Sequence, residues 1–210
     1  MMKREKYSIF KHHPWHGVSP GEDVPEIVTA FIEIVPGDTI KYEVDKASGY
    51  LKIDRPQLFS NTSPALYGFI PQTYCGNSIA EYCAIESGEK IVKGDGDPLD
   101  ICVLCERPVT HGDILLRAVP IGGLRMIDNG EADDKIIAVL YNDPMYSQYK
   151  DVSELPKQML DRLRHYFLTY KVIPGESRQP VEIAAVYDKK AAFEVIRRSL
   201  ADYKSLISES

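Results

Sequence analysis

The sequence predicts an α+β fold: a small antiparallel sheet or barrel that carries two helices late in the chain. Two observations lead there. Period-two alternation and continuous β-branched runs fill the stretch from Ile27 to about Tyr141, whereas helical spacing of apolar residues is confined to the region after Val152. Strands first and helices last is the pattern of α+β rather than of alternating βα units. The chain has 210 residues, 44% of them hydrophobic and 27% charged, which suits one domain over 1–210 with a core of its own.

Residues 1–25 read as an N-terminal arm. His12, His13 and His16 could bind a metal, but beside Trp15 and several Pro and Gly they fit a solvated arm better. Ile27 to Val35 is β-branched and aromatic, with Glu33 set inside the apolar run. Ile40, Tyr42 and Val44 alternate with Lys41, Glu43 and Asp45. Asp45-Lys46-Ala47-Ser48-Gly49 is turn chemistry and Tyr50 to Arg55 resumes a strand, so 40–55 reads as a hairpin. Further strands are predicted at 101–105, 113–121, 136–141 and 181–187. Val152, Leu155, Met159, Leu163, Tyr166, Phe167 and Tyr170 recur at helical spacing, and a last helix runs from Lys189 to Leu206 with Asp188 as its N-cap.

Composition narrows the function classes. The net charge is −6, and no basic stripe accompanies the aromatic residues, which argues against nucleic-acid binding. No run approaches the ~18 apolar residues of a membrane span, and the charged start is unlike a secretory leader, so a cytoplasmic protein is expected. Cys102 and Cys105 form a CxxC, but they lie in the apolar run Ile101-Cys102-Val103-Leu104-Cys105, and Cys75 and Cys83 give no matching second pair. Buried structural thiols are expected rather than a zinc site.

The chemistry is concentrated in Asp95-Gly96-Asp97-Pro98-Leu99-Asp100. Three carboxylates immediately before a buried strand repel one another, and a cation would relieve them. Oxygen donors of this kind suit Mg²⁺, Mn²⁺ or Ca²⁺. An EF-hand loop starting at Asp95 places Glu106 correctly at its twelfth position. It fails at the sixth, where Asp100 replaces the required glycine. A second acidic turn, Asp128 to Lys135, also enters an apolar strand, and together the two turns suggest one multi-metal site. Lys41, Arg55, Tyr67, Tyr170 and Lys171 supply complementary donors for a small, highly charged phosphate compound. Neither GxxxxGK[ST] nor GxGxxG is present, so no nucleotide cradle is signalled.

On the strength of DGDPLD, FIEIVP, IKYE, IDRP and YGFIP, the chain from Ile27 to Lys171 resembles the family I soluble inorganic pyrophosphatases. The resemblance implies an OB-like five-stranded β-barrel with flanking C-terminal helices, Mg²⁺-dependent hydrolysis of pyrophosphate to two phosphates by a multi-metal-activated water, and a homo-oligomer. Several Mg²⁺ are expected per site, with Mn²⁺ a possible substitute. By motif, Asp95, Asp100, Asp128, Asp133 and Glu33 become metal ligands, Asp97 the proton acceptor, and Glu43 a supporting acid. Lys41, Arg55, Tyr67, Lys135, Tyr170 and Lys171 become substrate donors, with Tyr67 and Lys171 also counted as catalytic. Ser63 stands where many bacterial members have a second active-site tyrosine. Residues 73–94 form an insert relative to compact members, expected as a hairpin or contact surface. Two other functions stay open: a metal-dependent hydrolase of another phosphate compound, and a non-enzymatic OB-fold binding module.

Overall fold

The computed structural model describes residues 11–91, 93–171 and 181–208. In chain order the strands and helices are β1 (Val28–Ile34), β2 (Ile40–Val44), β3 (Leu51–Pro56), β4 (Leu66–Phe69), α1 (Asn77–Ser87), β5 (Lys93–Gly94), β6 (Asp100–Leu104) and β7 (Ile114–Asp128). They continue with β8 (Glu131–Ala132), β9 (Lys135–Leu140), α2 (Lys157–Thr169), β10 (Val181–Asp188) and α3 (Lys189–Ser208).

Five strands close a ring in the order β1, β4, β6, β9, β7 and back to β1, which is the expected barrel. It is mixed rather than purely antiparallel, because β6 and β9 run parallel, with Asp100 opposite Lys135. The long β7 makes closure possible. Its first third pairs with β1, its middle with β9 and its last third with β10, and the register shifts between Pro120 and Gly122. A proline has no N–H to give the ladder, so the irregularity falls where a donor is missing. At the β1–β4 closure Gly68 is obligatory in space, since a Cβ there would lie 1.9 Å from the Phe31 carbonyl oxygen.

Strand alternation sorts the core into two sides. Ile101, Val103, Ile136 and Ala138 join Ile79 of α1 and Val195 and Ile196 of α3. The intervening Cys102, Leu104, Ile137 and Val139 join Leu163 and Phe167 of α2. Burying one such aliphatic or aromatic side chain contributes ~1.5–3 kcal/mol, and this two-sided core supports the strand ends that carry charge.

Four expectations are corrected. The helix read from Val152 begins only at Lys157: Asp151 accepts from Ser153 N at 3.0 Å to hold a separate short 3₁₀ turn, and Pro156 precedes α2. The insert holds a helix, α1, rather than a hairpin. Its start is stitched to the acidic turn, with Cys75 N donating to Asp97 O at 2.8 Å and Gly96 N to Cys75 O at 3.1 Å. The arm from residue 11 onward is docked, not loose. Trp15 is buried with Phe31, Val44, Phe69 and Tyr203, and its Nε1 donates to Thr73 O at 2.7 Å. Residues 1–10 of that arm lie outside the described residues. Of the CxxC pair, Cys102 is buried as expected, but Cys105 is only half-buried, and all four cysteines are free thiols.

Candidate active site

The acidic turn is shaped locally before it is used. Gly96 takes a left-handed φ of +76°, Asp97 N donates to Asp95 Oδ1 at 3.0 Å, and Leu99 is fully buried as the anchor. That anchor starts β6 at Asp100, whose parallel register sets Lys135 beside it. The Lys135 ammonium donates to both Asp100 Oδ2 and Asp133 Oδ1, and the Tyr67 hydroxyl donates to Asp100 Oδ2 from the other neighbouring strand. Burial alone would lower the Lys135 pKa, but the two carboxylates outweigh it and hold the ammonium well above its ordinary value. Burial, reinforced by Asp100, keeps the Tyr67 phenol protonated far above the usual range.

Two adjoining clefts of about 220 and 280 Å³ share Lys41, Tyr67, Asp97 and Asp100 on their walls. The first is completed by Glu33, Glu43 and Lys46, the second by Asp95, Asp128, Asp133, Lys135 and Tyr170. Glu33 is 8% exposed and accepts from Val44 N at 2.6 Å; burial pushes its carboxyl up to about 8 despite that bond. Lys41 bonds Asp54 at 2.7 Å and Glu43 at 3.2 Å. Lys171 forms an ion pair with Asp128, and so joins the cleft through that carboxylate. One expected donor stands back, and the serine at the place of the second tyrosine lies elsewhere. Arg55, opposite Lys41 in the hairpin register, lines neither cleft and turns to the Pro56 carbonyl at 3.4 Å. Ser63 is buried and bonds Ala65 O at 2.7 Å, away from both clefts.

The sequence reading missed two participants. Lys46 forms an ion pair with Asp97 from the β2–β3 turn, whose position the arm fixes through His13 Nε2 at 3.2 Å from Lys46 O. Nothing local in a turn lysine announces a partner about fifty residues on. Asp54 was within reach, since it sits beside Arg55 in IDRP and faces the same hairpin.

The donor set decides whether metals fit. Among the described residues no three such side chains form a preformed metal cage. Instead Lys135 fills the space between Asp100 and Asp133. Yet one ammonium does not balance the group. Burial followed by the charge of Asp133 pushes Asp95 up to about 9, and burial raises Asp100 as well. Desolvated carboxylates held this close, with only oxygen donors among them, fit hard divalent cations.

The pattern that defines the inorganic pyrophosphatases matches residues 30–204. The inorganic pyrophosphatase of Chlamydia muridarum is 52% identical over 198 residues, which is 92% of this chain and 95% of that one. The soluble inorganic pyrophosphatase of Zea mays is 38% identical over 198 residues, covering 94% of this chain and 82% of that one. The crystal structure of the inorganic pyrophosphatase from Thermus thermophilus superposes with a TM-score of 0.76 at 30% identity, over 92% of this chain and 99% of that one. Likeness in sequence and in fold thus runs through both acidic turns and the whole barrel, and the chain belongs to the family I soluble inorganic pyrophosphatases.

Proposed function

We propose that this inorganic diphosphatase hydrolyses pyrophosphate with Asp97 as proton acceptor and Lys135 as the central hydrogen-bond donor to phosphate, in a site that Mg²⁺ completes. The observation that carries the assignment is the buried Asp100–Lys135–Asp133 contact, on the wall of a cleft that Asp97 also lines. Asp95, Asp100, Asp128 and Asp133 would hold the cations, with Glu33 and Glu43 behind them. When bound, divalent cations neutralise phosphoryl oxygens and make an attacking water more acidic.

The chain's own groups do the rest. Water attacks one phosphorus, the bridging P–O bond breaks, and the water proton passes to an Asp97 carboxylate oxygen. Lys41, Lys135 and Lys171 stay protonated, because neighbouring anionic and phenolic groups outweigh the burial that opposes their charge. They stabilise the terminal oxygens and the charge that grows on the leaving phosphate. Burial likewise keeps Tyr67 and Tyr170 as hydroxyl donors. Arg55 reaches substrate by leaving the Pro56 carbonyl, a weak bond at 3.4 Å, and its ion pair with Asp54 at 3.9 Å.

Four free thiols suit a reducing cytosol as the compartment, and the family resemblance supports a homo-oligomer. No helix among the described residues is long and apolar enough to cross a membrane. Phosphate release from pyrophosphate and from nucleoside triphosphates, each with and without Mg²⁺, tests the assignment. Release confined to pyrophosphate with Mg²⁺ supports it, and equal release from nucleotides favours a broader phosphohydrolase.

A further inference from the structure

Arg125 interrupts the apolar run of β7 and is 2% exposed. Its guanidinium lies 3.7 Å from Asp134 and 4.0 Å from Glu86 of α1. It is also stacked between two rings, 4.6 Å from the centre of Tyr82 in α1 and 5.1 Å from that of Tyr187 in β10. Asp134 sits in sequence between Asp133 and Lys135, whose side chains bond each other in the cleft, while its own carboxylate turns away to Arg125. It also accepts a hydrogen bond from the Met126 backbone amide.

The Asp134 side chain is 1% exposed. Removing one partner from a buried ion pair leaves an uncompensated charge, a far larger effect than losing an exposed pair. The contact is not a closed fork: Arg125 Nε and Nη2, Asp134 Oδ1 and the Tyr187 hydroxyl have no direct hydrogen-bond partner. Charge and ring faces hold it, and through them Arg125 directs the Asp134 carboxylate away from the neighbouring Asp133 and Lys135 side chains.

We propose that Arg125 is a positioning residue for the hydrolysis: it holds Asp134 out of the cleft, keeps Asp133 and Lys135 aimed at the phosphate, and ties α1 of the insert to the site. This rests on the reading of Lys135 as a hydrogen-bond donor to the phosphate. Freed from Arg125, the Asp134 carboxylate competes for the Lys135 ammonium, and a displacement of ~1 Å at a reacting group can cost ~10²-fold in rate.

The test compares Arg125→Met, Arg125→Lys and the double variant Arg125→Met with Asp134→Asn, using turnover, KM, melting temperature and calorimetric binding of imidodiphosphate. Arg125→Met is expected to lose roughly tenfold or more in kcat and to bind imidodiphosphate more weakly, within the ~10²-fold bound that misplacement sets. Removing the carboxylate in the double variant returns kcat to within about threefold of wild type, since the competing charge is gone. Lysine keeps the charge but not the planar stack, so Arg125→Lys loses severalfold in kcat, and it carries the test if the methionine variant does not fold. Wild-type kcat and imidodiphosphate binding in a folded Arg125 variant with a lowered melting temperature overturn the proposal, because that is what packing alone predicts. A double variant no better than Arg125→Met overturns it too. Lys135→Met separates the two readings. If it is inactive while Arg125 variants are normal, only the positioning role falls; if it is fully active, the phosphate role of Lys135 falls and the proposal with it.

Discussion

Lys46, in the turn between β2 and β3, forms an ion pair with Asp97, the residue proposed to receive the proton. Both side chains are half-exposed, at 60% and 50%. An exposed pair of this kind is worth only ~0.2–1 kcal/mol and is screened by salt. The pair therefore opens easily and does not lock Asp97. Its second effect is to place positive charge on the wall of the first cleft.

Lys46→Met should accordingly leave the melting temperature almost unchanged and raise KM for pyrophosphate severalfold at low ionic strength. The difference should shrink as salt rises, because long-range steering is screened within a Debye length of ~10 Å at 0.1 M. Initial rates across a KCl series at fixed free Mg²⁺ measure this. A salt-independent KM change would mean that Lys46 acts by direct contact with substrate instead.

Helix α1 owes its start to a residue 126 positions further on. Asp202 of α3 accepts from Gly76 N at 3.0 Å, Ser78 N at 3.0 Å and Ile79 N at 3.1 Å, while the N-cap residue Gly76 has no side chain to offer. Capping substitutions typically cost ~0.5–2 kcal/mol, and three amides share this one cap. Asp202→Ala should lower stability by about 1–2 kcal/mol on that scale and speed hydrogen exchange first in 77–87. Uniform loss of protection across the chain, with no early opening of α1, would contradict the local role.

Stability should depend on pH in opposite ways without and with metal. In the metal-free protein burial raises Asp95 to about 9, Glu33 to about 8 and Asp134 to about 7. A carboxyl with a raised folded pKa stabilises the fold fully below its unfolded value near ~4 and loses that contribution as pH climbs through the folded value. With a chelator present, melting temperature should fall from pH 5 to 9. Saturating Mg²⁺ binds the ionised form and the native state, so it should flatten or reverse the decline. A chelated protein that grows more stable over this range would show that these carboxyls ionise freely without a cation.

How far the sequence could be read follows from where each signal lies. Asp95, Asp97 and Asp100 were legible because charge collides there with a buried strand within six residues. The β2–β3 hairpin was legible because its turn is closed locally, with Asp45 accepting from Ser48 N at 2.9 Å. Helix α1 was not, since its buried side chains are only Ile79, Ala80 and Cys83 and its cap comes from Asp202. Asp134 was read only as part of an acidic turn and Arg125 fell beyond the strand expected at 113–121, because only the register of β7 and β9 brings them together. Trp15 looked exposed for the same reason: its partners Phe69, Thr73 and Tyr203 are all distant in sequence.

The central claim is that Asp97 accepts the proton while its neighbours hold metal and phosphate. Asp97→Asn keeps the side-chain shape and removes the basic carboxylate, leaving Lys41, Lys135 and Lys171 in place. Turnover of pyrophosphate under saturating Mg²⁺ should fall by ~10²–10⁴-fold, the usual contribution of a general base, while imidodiphosphate binding measured in parallel changes by less than about tenfold, or ~1.4 kcal/mol. Normal turnover in a folded Asp97→Asn protein would contradict the account, because the attacking water would then lose its proton elsewhere.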